Sequence, residues 1–315
     1  MDYLWICVSL ILIMLASDKL IDAAASIALK LKVPKILVAL TIMSFGTCMP
    51  ELSISFSSML SGNASISLAN VIGSCVVNVF LVIGIAALIR PIEMKDGTVK
   101  SELPLLLLTT SVFCILLANR LLSNETFKFL YRIDGILILL VFLMFIVYLR
   151  KLIVNNDKRK ERGTPKYNLV VSILLCLLTL VVIYFASELL VKSAVNVADS
   201  FGISEKVITM VVIVIGTCLP ELIVTVTAAL KKEFDMAIGN IIGTNIFNIC
   251  VVLGLPLAIF GKLQIVDFDF IDIFAVFFAT ILLYGFSKSS KSLSKIEGVL
   301  LLSMFIVYYF FVIFL

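Results

Sequence analysis

Residues Leu137 to Tyr148 read Leu-Ile-Leu-Leu-Val-Phe-Leu-Met-Phe-Ile-Val-Tyr, and apolar stretches of this kind follow one another along the chain with only short polar gaps. A membrane-spanning strand alternates apolar and polar residues over about ten positions, so unbroken apolar runs exclude a barrel. They fit α-helices, which need roughly 20 apolar residues to cross a hydrocarbon core about 30 Å thick. Ten spans are predicted, at residues 3–31, 34–60, 65–90, 103–121, 132–151, 167–198, 205–230, 235–260, 268–287 and 295–315. Of the 315 residues 62% are hydrophobic and 15% charged, with a mean hydropathy of +1.19. That leaves no material for a folded soluble domain, so any chemistry must take place inside the membrane region. An all-α membrane protein is expected. The first span opens on Met1, Asp2 and Tyr3 with no basic segment and is followed by further spans, which argues against a cleaved signal peptide.

The connections differ in charge. Those between spans 1 and 2, 3 and 4, 5 and 6, 7 and 8, and 9 and 10 hold 18 of the 25 Lys and Arg, the others hold six, and Lys19 lies within the first span. The positive-inside rule then puts the 152–166 linker, with Lys158, Arg159, Lys160, Arg162 and Lys166, in the cytoplasm of a multi-pass cell-membrane protein, and both termini outside. The basic run reads as a topology determinant, and a net charge of +4 gives no reason to expect a nucleic-acid partner. The sequons at Asn63 and Asn124 fall on connections that this orientation places outside. Seven cysteines (Cys7, Cys48, Cys75, Cys114, Cys176, Cys218, Cys250) all lie in apolar spans, without the spacing of a metal ribbon or a disulfide framework.

A shift of 170 residues lays Gly46-Thr47-Cys48-Met49-Pro50-Glu51-Leu52 on Gly216-Thr217-Cys218-Leu219-Pro220-Glu221-Leu222. The register continues without a gap: Asn70, Gly73, Asn78 and Gly84 meet Asn240, Gly243, Asn248 and Gly254, Ser74 meets Thr244, and Ser17 and Asp18 meet Ser187 and Glu188. Two copies of a five-span unit follow, residues 1–151 and 167–315. Five is odd, so the second copy enters the bilayer from the opposite side, giving ten transmembrane helices as two inverted five-helix repeats. Packing glycines explain part of this match. They do not explain the carboxylates.

Glu51 and Glu221 fall near the middle of long apolar spans, where an uncompensated charge costs several kcal/mol. Each is preceded by Gly-Thr-Cys-x-Pro. Proline lacks the helix N–H and displaces the carbonyl four residues back, so Pro50 frees Gly46 and Pro220 frees Gly216. Such freed carbonyls are tolerated at membrane depth only when buried or lining a cavity, where they serve as hard cation ligands. Thr47 and Glu51 are four apart, as are Ser74 and Asn78, so each pair shares a helix face if the break keeps phase. The second repeat offers Thr217, Glu221, Thr244 and Asn248. Taken singly, such hydroxyls and amides also serve as interhelical hydrogen bonds; their clustering about the glutamates singles them out. Two carboxylates ringed by neutral oxygens suit calcium, which takes about six to eight oxygen ligands, and hard monovalent ions use the same donors. The chain has no histidine, which removes imidazole relays and the commonest transition-metal ligand.

At these residues the chain resembles the sodium/calcium exchanger family, within the cation/calcium antiporter superfamily. The segments 33–88 and 203–258 are similar to its two α-repeats: Gly-Thr-x-x-Pro-Glu, then Gly-Asn-x-Ile-Gly-Ser/Thr-x-x-x-Asn, present twice and in order. The resemblance implies that Glu51 and Glu221 bind calcium with Thr47 and Thr217. It implies too that Ser74, Thr244, Asn78 and Asn248 line sodium sites, with backbone ligands near Ser44 and Val214. Many members have serine where this chain has Cys48 and Cys218, and a thiol is a weaker donor than a hydroxyl. Potassium-dependent relatives tend to carry Asp where Asn248 stands. The short linker suggests a compact, prokaryotic-type member.

A pair of carboxylates is neutralised by one calcium or a few sodium ions, so the ions compete for one site, and competition with alternating access yields antiport. The expected activity is transport of Ca2+ and Na+ as cargo, with no cofactor and no enzymatic step, and a monomer suffices to build the site. Spans 1 and 6, at about 30 residues, reach roughly 45 Å and must tilt; by resemblance they slide together across the bundle. Asp18, Asp22 and Glu188 read as solvated groups at their polar ends. Proton/calcium exchange would use the same glutamates, and export of soft metals would use Cys48 and Cys218. A structural or receptor-like membrane protein is the reading outside transport.

Overall fold

The computed structural model describes residues 2–62, 64–123, 128–154, 163–201, 208–265, 268 and 270–314. Most of the linker, residues 203–207 at the start of the second motif segment, and both sequon asparagines, Asn63 and Asn124, lie outside these. Among the described residues eight continuous helices are long and apolar enough to cross a membrane: Asp2–Leu31 (span 1), Ser65–Ile89 (3), Thr98–Leu121 (4), Arg132–Val154 (5), Leu169–Ala198 (6), Phe234–Phe260 (8), Phe270–Ser290 (9) and Lys295–Ile313 (10). Two bent pairs complete the ten, Lys35–Thr47 with Met49–Leu60 as span 2 and Val211–Thr217 with Leu219–Leu230 as span 7. Span 4 begins at Thr98 rather than 103, because a wide turn over Thr98–Glu102 leads into the helix ahead of Pro104. Proline near a helix start gives up an N–H that had no partner anyway.

Packing couples the two halves throughout. Spans 1 and 6 lie against each other along much of their length, and span 4 packs on span 9. Span 8 packs on span 2 as span 3 does on span 7, and the end of span 8 meets span 5 as the end of span 3 meets span 10. Each contact in these last two pairings is the other's partner under the 170-residue offset, the arrangement that inverted repeats about a two-fold axis require. Two small sheets repeat the relation. Strand β1 (Ile92–Glu93) pairs antiparallel with β4 (Ser292–Leu293), and β2 (Phe129–Tyr131) with β3 (Lys262–Gln264). Each sheet joins one strand from either half.

Enclosure increases towards spans 3 and 8. Over an 18-residue window 78% of each is buried, against 33% for span 1 and 28% for span 6. Spans 3 and 8 are therefore the centre of the bundle, and spans 1 and 6 form an outer pair with broad apolar faces. That places the polar residues of spans 3 and 8, together with the breaks in spans 2 and 7, deep inside the protein.

Candidate functional site

The breaks fall at Cys48 (φ −76°, ψ 0°) and Cys218 (φ −82°, ψ −1°), and the two halves of spans 2 and 7 bend by 46° and 42°. Pro50 and Pro220 follow at the start of the second segment, where a missing N–H costs least. Glu51 and Glu221 thus stand in the first turn of a helix, whose unpaired amides favour negative charge. In spans 3 and 8 the α-helix widens into a π-helical turn at Asn78–Ile83 and Asn248–Leu253, starting at the two asparagines. Such turns recur at functional sites because they redirect side chains and free backbone groups.

All ten residues singled out from the sequence are buried: Ser44, Thr47, Glu51, Ser74, Asn78, Val214, Thr217, Glu221, Thr244 and Asn248. Both glutamates are 0% exposed. Among the described residues no lysine or arginine is paired with either. Glu51 Oε2 and both carboxylate oxygens of Glu221 have no hydrogen-bond partner, and neither have Ser74 Oγ, Asn78 Oδ1, Thr244 Oγ1 or the two polar atoms of the Asn248 amide. Thr217 stands beside Glu51 and Thr47 beside Glu221, each threonine facing the other repeat's carboxylate. Their hydroxyls donate to backbone, Thr47 to Ser44 O at 3.4 Å and Thr217 to Val214 O at 3.0 Å. Each hydroxyl oxygen carries two lone pairs, which makes it an oxygen donor for a cation. Buried polar atoms are nearly always paired in native proteins. So dense a cluster of unpaired oxygens, two carboxylates among them, is what a cation-binding cavity requires.

The cysteines lie in the same cluster. Cys218 Sγ is 4.0 Å from Glu51 Oε1 and Cys48 Sγ 3.7 Å from the Thr244 carbonyl, each as donor. Close approach here depends on glycine: a Cβ on Gly73 would lie 2.6 Å from Val214 Cγ1, and one on Gly243 2.1 Å from Ser44 Oγ. Gly243→Ala is accordingly expected to displace Ser44 and destabilise the fold by about 1–3 kcal/mol, as overpacking does. Thermal unfolding in detergent measures this. Gly285→Ala, with open space around it, should behave like the parent.

Sequence reasoning treated Asn70 and Asn240 only as repeat identities and passed over Asn245. Asn70 Nδ2 donates to the Glu51 carbonyl at 3.3 Å, and Asn240 Nδ2 to Thr225 Oγ1 at 3.4 Å. Asn245 bonds to Asn78. It has Cys75 as its counterpart, so a search for matching residues has no signal for it.

A cavity of about 490 Å³ runs from Ser61, at the end of span 2, to Pro50 and Thr217 beside the glutamates, past Ser53, Ser57, Tyr184 and Glu188. Glu188 therefore faces this access route instead of a bare interface. On the opposite face ion pairs join the ends of the spans. There Lys231, the counterpart of Ser61, reaches Asp18 Oδ1 and Asp22 Oδ1, each at 2.8 Å, and the Asp18 carbonyl at 2.6 Å, while Lys166 holds Asp22 Oδ2 at 2.7 Å. Asp18 stays half-exposed to solvent and Asp22 is more enclosed, and both are ion-pair partners that tie span 1 to the end of span 7.

The fold and this site define a helical membrane cation antiporter, in which binding and release of ions take the place of catalysis. The sodium/calcium exchanger protein family model matches residues 1–151 and 171–314. The putative antiporter CaxA of Alkalimonas amylolytica is 33% identical over 97% of this chain and 96% of its own. The sodium/calcium exchanger MaX1 of Methanosarcina acetivorans is 28% identical over 98% and 97%. The structure of the sodium-calcium exchanger NCX_Mj, soaked with sodium and without calcium, superposes with a TM-score of 0.82 at 28% identity, covering 98% of this chain and 97% of that one. The chain belongs to the sodium/calcium exchanger family.

Proposed function

We propose that the protein exchanges calcium for sodium across the cell membrane by alternating access, with Glu51 and Glu221 as the shared ion-binding carboxylates. The observation that carries this reading is the pair of fully buried carboxylates with unpartnered oxygens and no basic residue beside them. Two such charges cost several kcal/mol each to bury, and one calcium ion or a few sodium ions would neutralise them. The surrounding donors are hard oxygens, the type calcium and sodium share. Thr47 and Thr217, with backbone oxygens near Ser44 and Val214, complete a calcium shell, while Ser74, Thr244, Asn78 and Asn248 extend it for sodium. In the orientation that the Lys and Arg distribution favours, the linker is cytoplasmic, both termini are external and the open cavity faces outward. A cavity that reaches Pro50 and Thr217 from the Ser61 end, with ion pairs among the described residues at the other end, supports access from one side at a time.

Purified protein in liposomes tests the coupling. An outward sodium gradient at fixed pH should drive calcium uptake, and a pH jump without sodium should not. The reverse pattern would establish proton/calcium exchange, which would use the same glutamates. If the thiols are tolerated and not required, Cys48→Ser combined with Cys218→Ser retains calcium exchange and lowers the sodium concentration giving half-maximal rate. Zinc or cadmium moved in preference to calcium, and lost in that double variant, would instead point to soft-metal export.

A further inference from the structure

Asn245 is fully enclosed in span 8, next to Thr244, and bridges two groups of span 3. Its Nδ2 donates to the Cys75 carbonyl at 3.3 Å and its Oδ1 accepts from Asn78 Nδ2 at 2.9 Å. The first contact fixes the sense of the second. A backbone carbonyl can only accept, so the end of Asn245 that faces Cys75 is its amino group and the end that faces Asn78 is its oxygen. Against that oxygen Asn78 can turn only its own amino group. Asn78 Oδ1 is thereby directed away from Asn245, and it remains buried without a partner, one helical turn from the equally unpartnered Ser74 Oγ.

We propose that Asn245 is a positioning residue for ion binding: it locks the Asn78 amide so that the oxygen, and not the amino group, is presented to the transported cation. The inference rests on the calcium reading above. For a cation the distinction is decisive, since a carbonyl oxygen is a hard ligand whereas an amide N–H carries positive partial charge. The second repeat lacks this device. Cys75 stands where Asn245 would have its counterpart, and both polar atoms of Asn248 are unpartnered, so that amide is free to turn. The two halves of an otherwise paired site thus differ: Asn78 is pre-set as an oxygen donor, and Asn248 adapts to whichever ion is bound.

The test is the sodium concentration that half-displaces bound calcium from the purified full-length protein, with Asn245→Leu and Asn245→Asp each made in the parent and in an Asn78→Ala background. Partners that orient a metal ligand are worth about 10- to 100-fold in affinity, so a loss of that size in sodium binding should raise this concentration severalfold in Asn245→Leu. In the Asn78→Ala background the same change should cost nothing further. Asn245→Asp keeps an acceptor facing Asn78 Nδ2 and should stay close to the parent. Equal losses from Asn245→Leu in both backgrounds, or an aspartate variant as weak as the leucine one, would overturn the proposal, because damage to packing would act independently of Asn78. If Asn245→Leu cannot be purified, Asn245→Ala removes both hydrogen bonds without added volume and supplies the same comparison. Absence of calcium binding by the parent itself would instead sink the calcium reading, and the inference with it.

Discussion

Glu51→Gln and Glu221→Gln are each expected to abolish sodium-driven calcium uptake in liposomes. The substitution keeps shape and removes one of two charges from a site where, among the described residues, no lysine or arginine is paired with either glutamate. Two unit charges about 4 Å apart interact by roughly 4 kcal/mol at an effective dielectric constant of 20. Losing one carboxylate therefore weakens binding of even a monovalent ion by about a thousandfold, at about 1.4 kcal/mol per decade, and binding of a divalent ion by more. Folding should not suffer. A buried, unpaired carboxylate is a liability that the neutral amide removes, so the ion-free variants should unfold in detergent at or above the temperature of the ion-free parent. Parent-like exchange in either variant would remove that glutamate from the site.

The glutamates were legible in the sequence because membrane burial makes an unexplained carboxylate conspicuous, and a fixed offset repeats it with its proline and glycine. The ten-helix layout was legible for a related reason: lipid leaves the backbone few alternatives. What the sequence did not show depends on contacts between the repeats. Each threonine faces the opposite repeat's carboxylate, and no spacing along one helix announces that. Pro50 and Pro220 predicted broken helices, but no residue pattern announced the π-helical turns that start at Asn78 and Asn248. Asn245 was missed because the symmetry that exposed the other site residues hides one without a counterpart. The ion pairs of Asp18 and Asp22 were not legible because their partner, Lys231, lies over 200 residues further along the chain.

That lysine leads to the second large effect. Lys231→Met is expected to shift the protein towards the conformation open on the linker-bearing face. Lys231 makes three contacts of 2.6 to 2.8 Å to span 1, and its counterpart on the cavity side, Ser61, carries no charge. The linker-bearing face therefore has an ionic tie to position 231 that the uncharged Ser61 cannot form on the cavity side. Hydrogen bonds between charged groups contribute about 1.5–3 kcal/mol. Solvent reaches these side chains, at 25% for Lys231 and 46% for Asp18, so the whole cluster is better taken at about that value than at a multiple of it. Removing it should change the ratio of the two conformations about 10- to 100-fold. Thr227, 170 residues on from the cavity residue Ser57, marks the route on the linker-bearing face. With the native cysteines replaced by serine, Thr227→Cys should react with an impermeant thiol reagent at least about tenfold faster when Lys231→Met is present. Lys166→Met breaks a single, more exposed pair with Asp22 and should produce a smaller change. Unchanged or slower labelling at position 227 would show that the ion pairs only fasten span 1 in place and have no part in selecting which face is open.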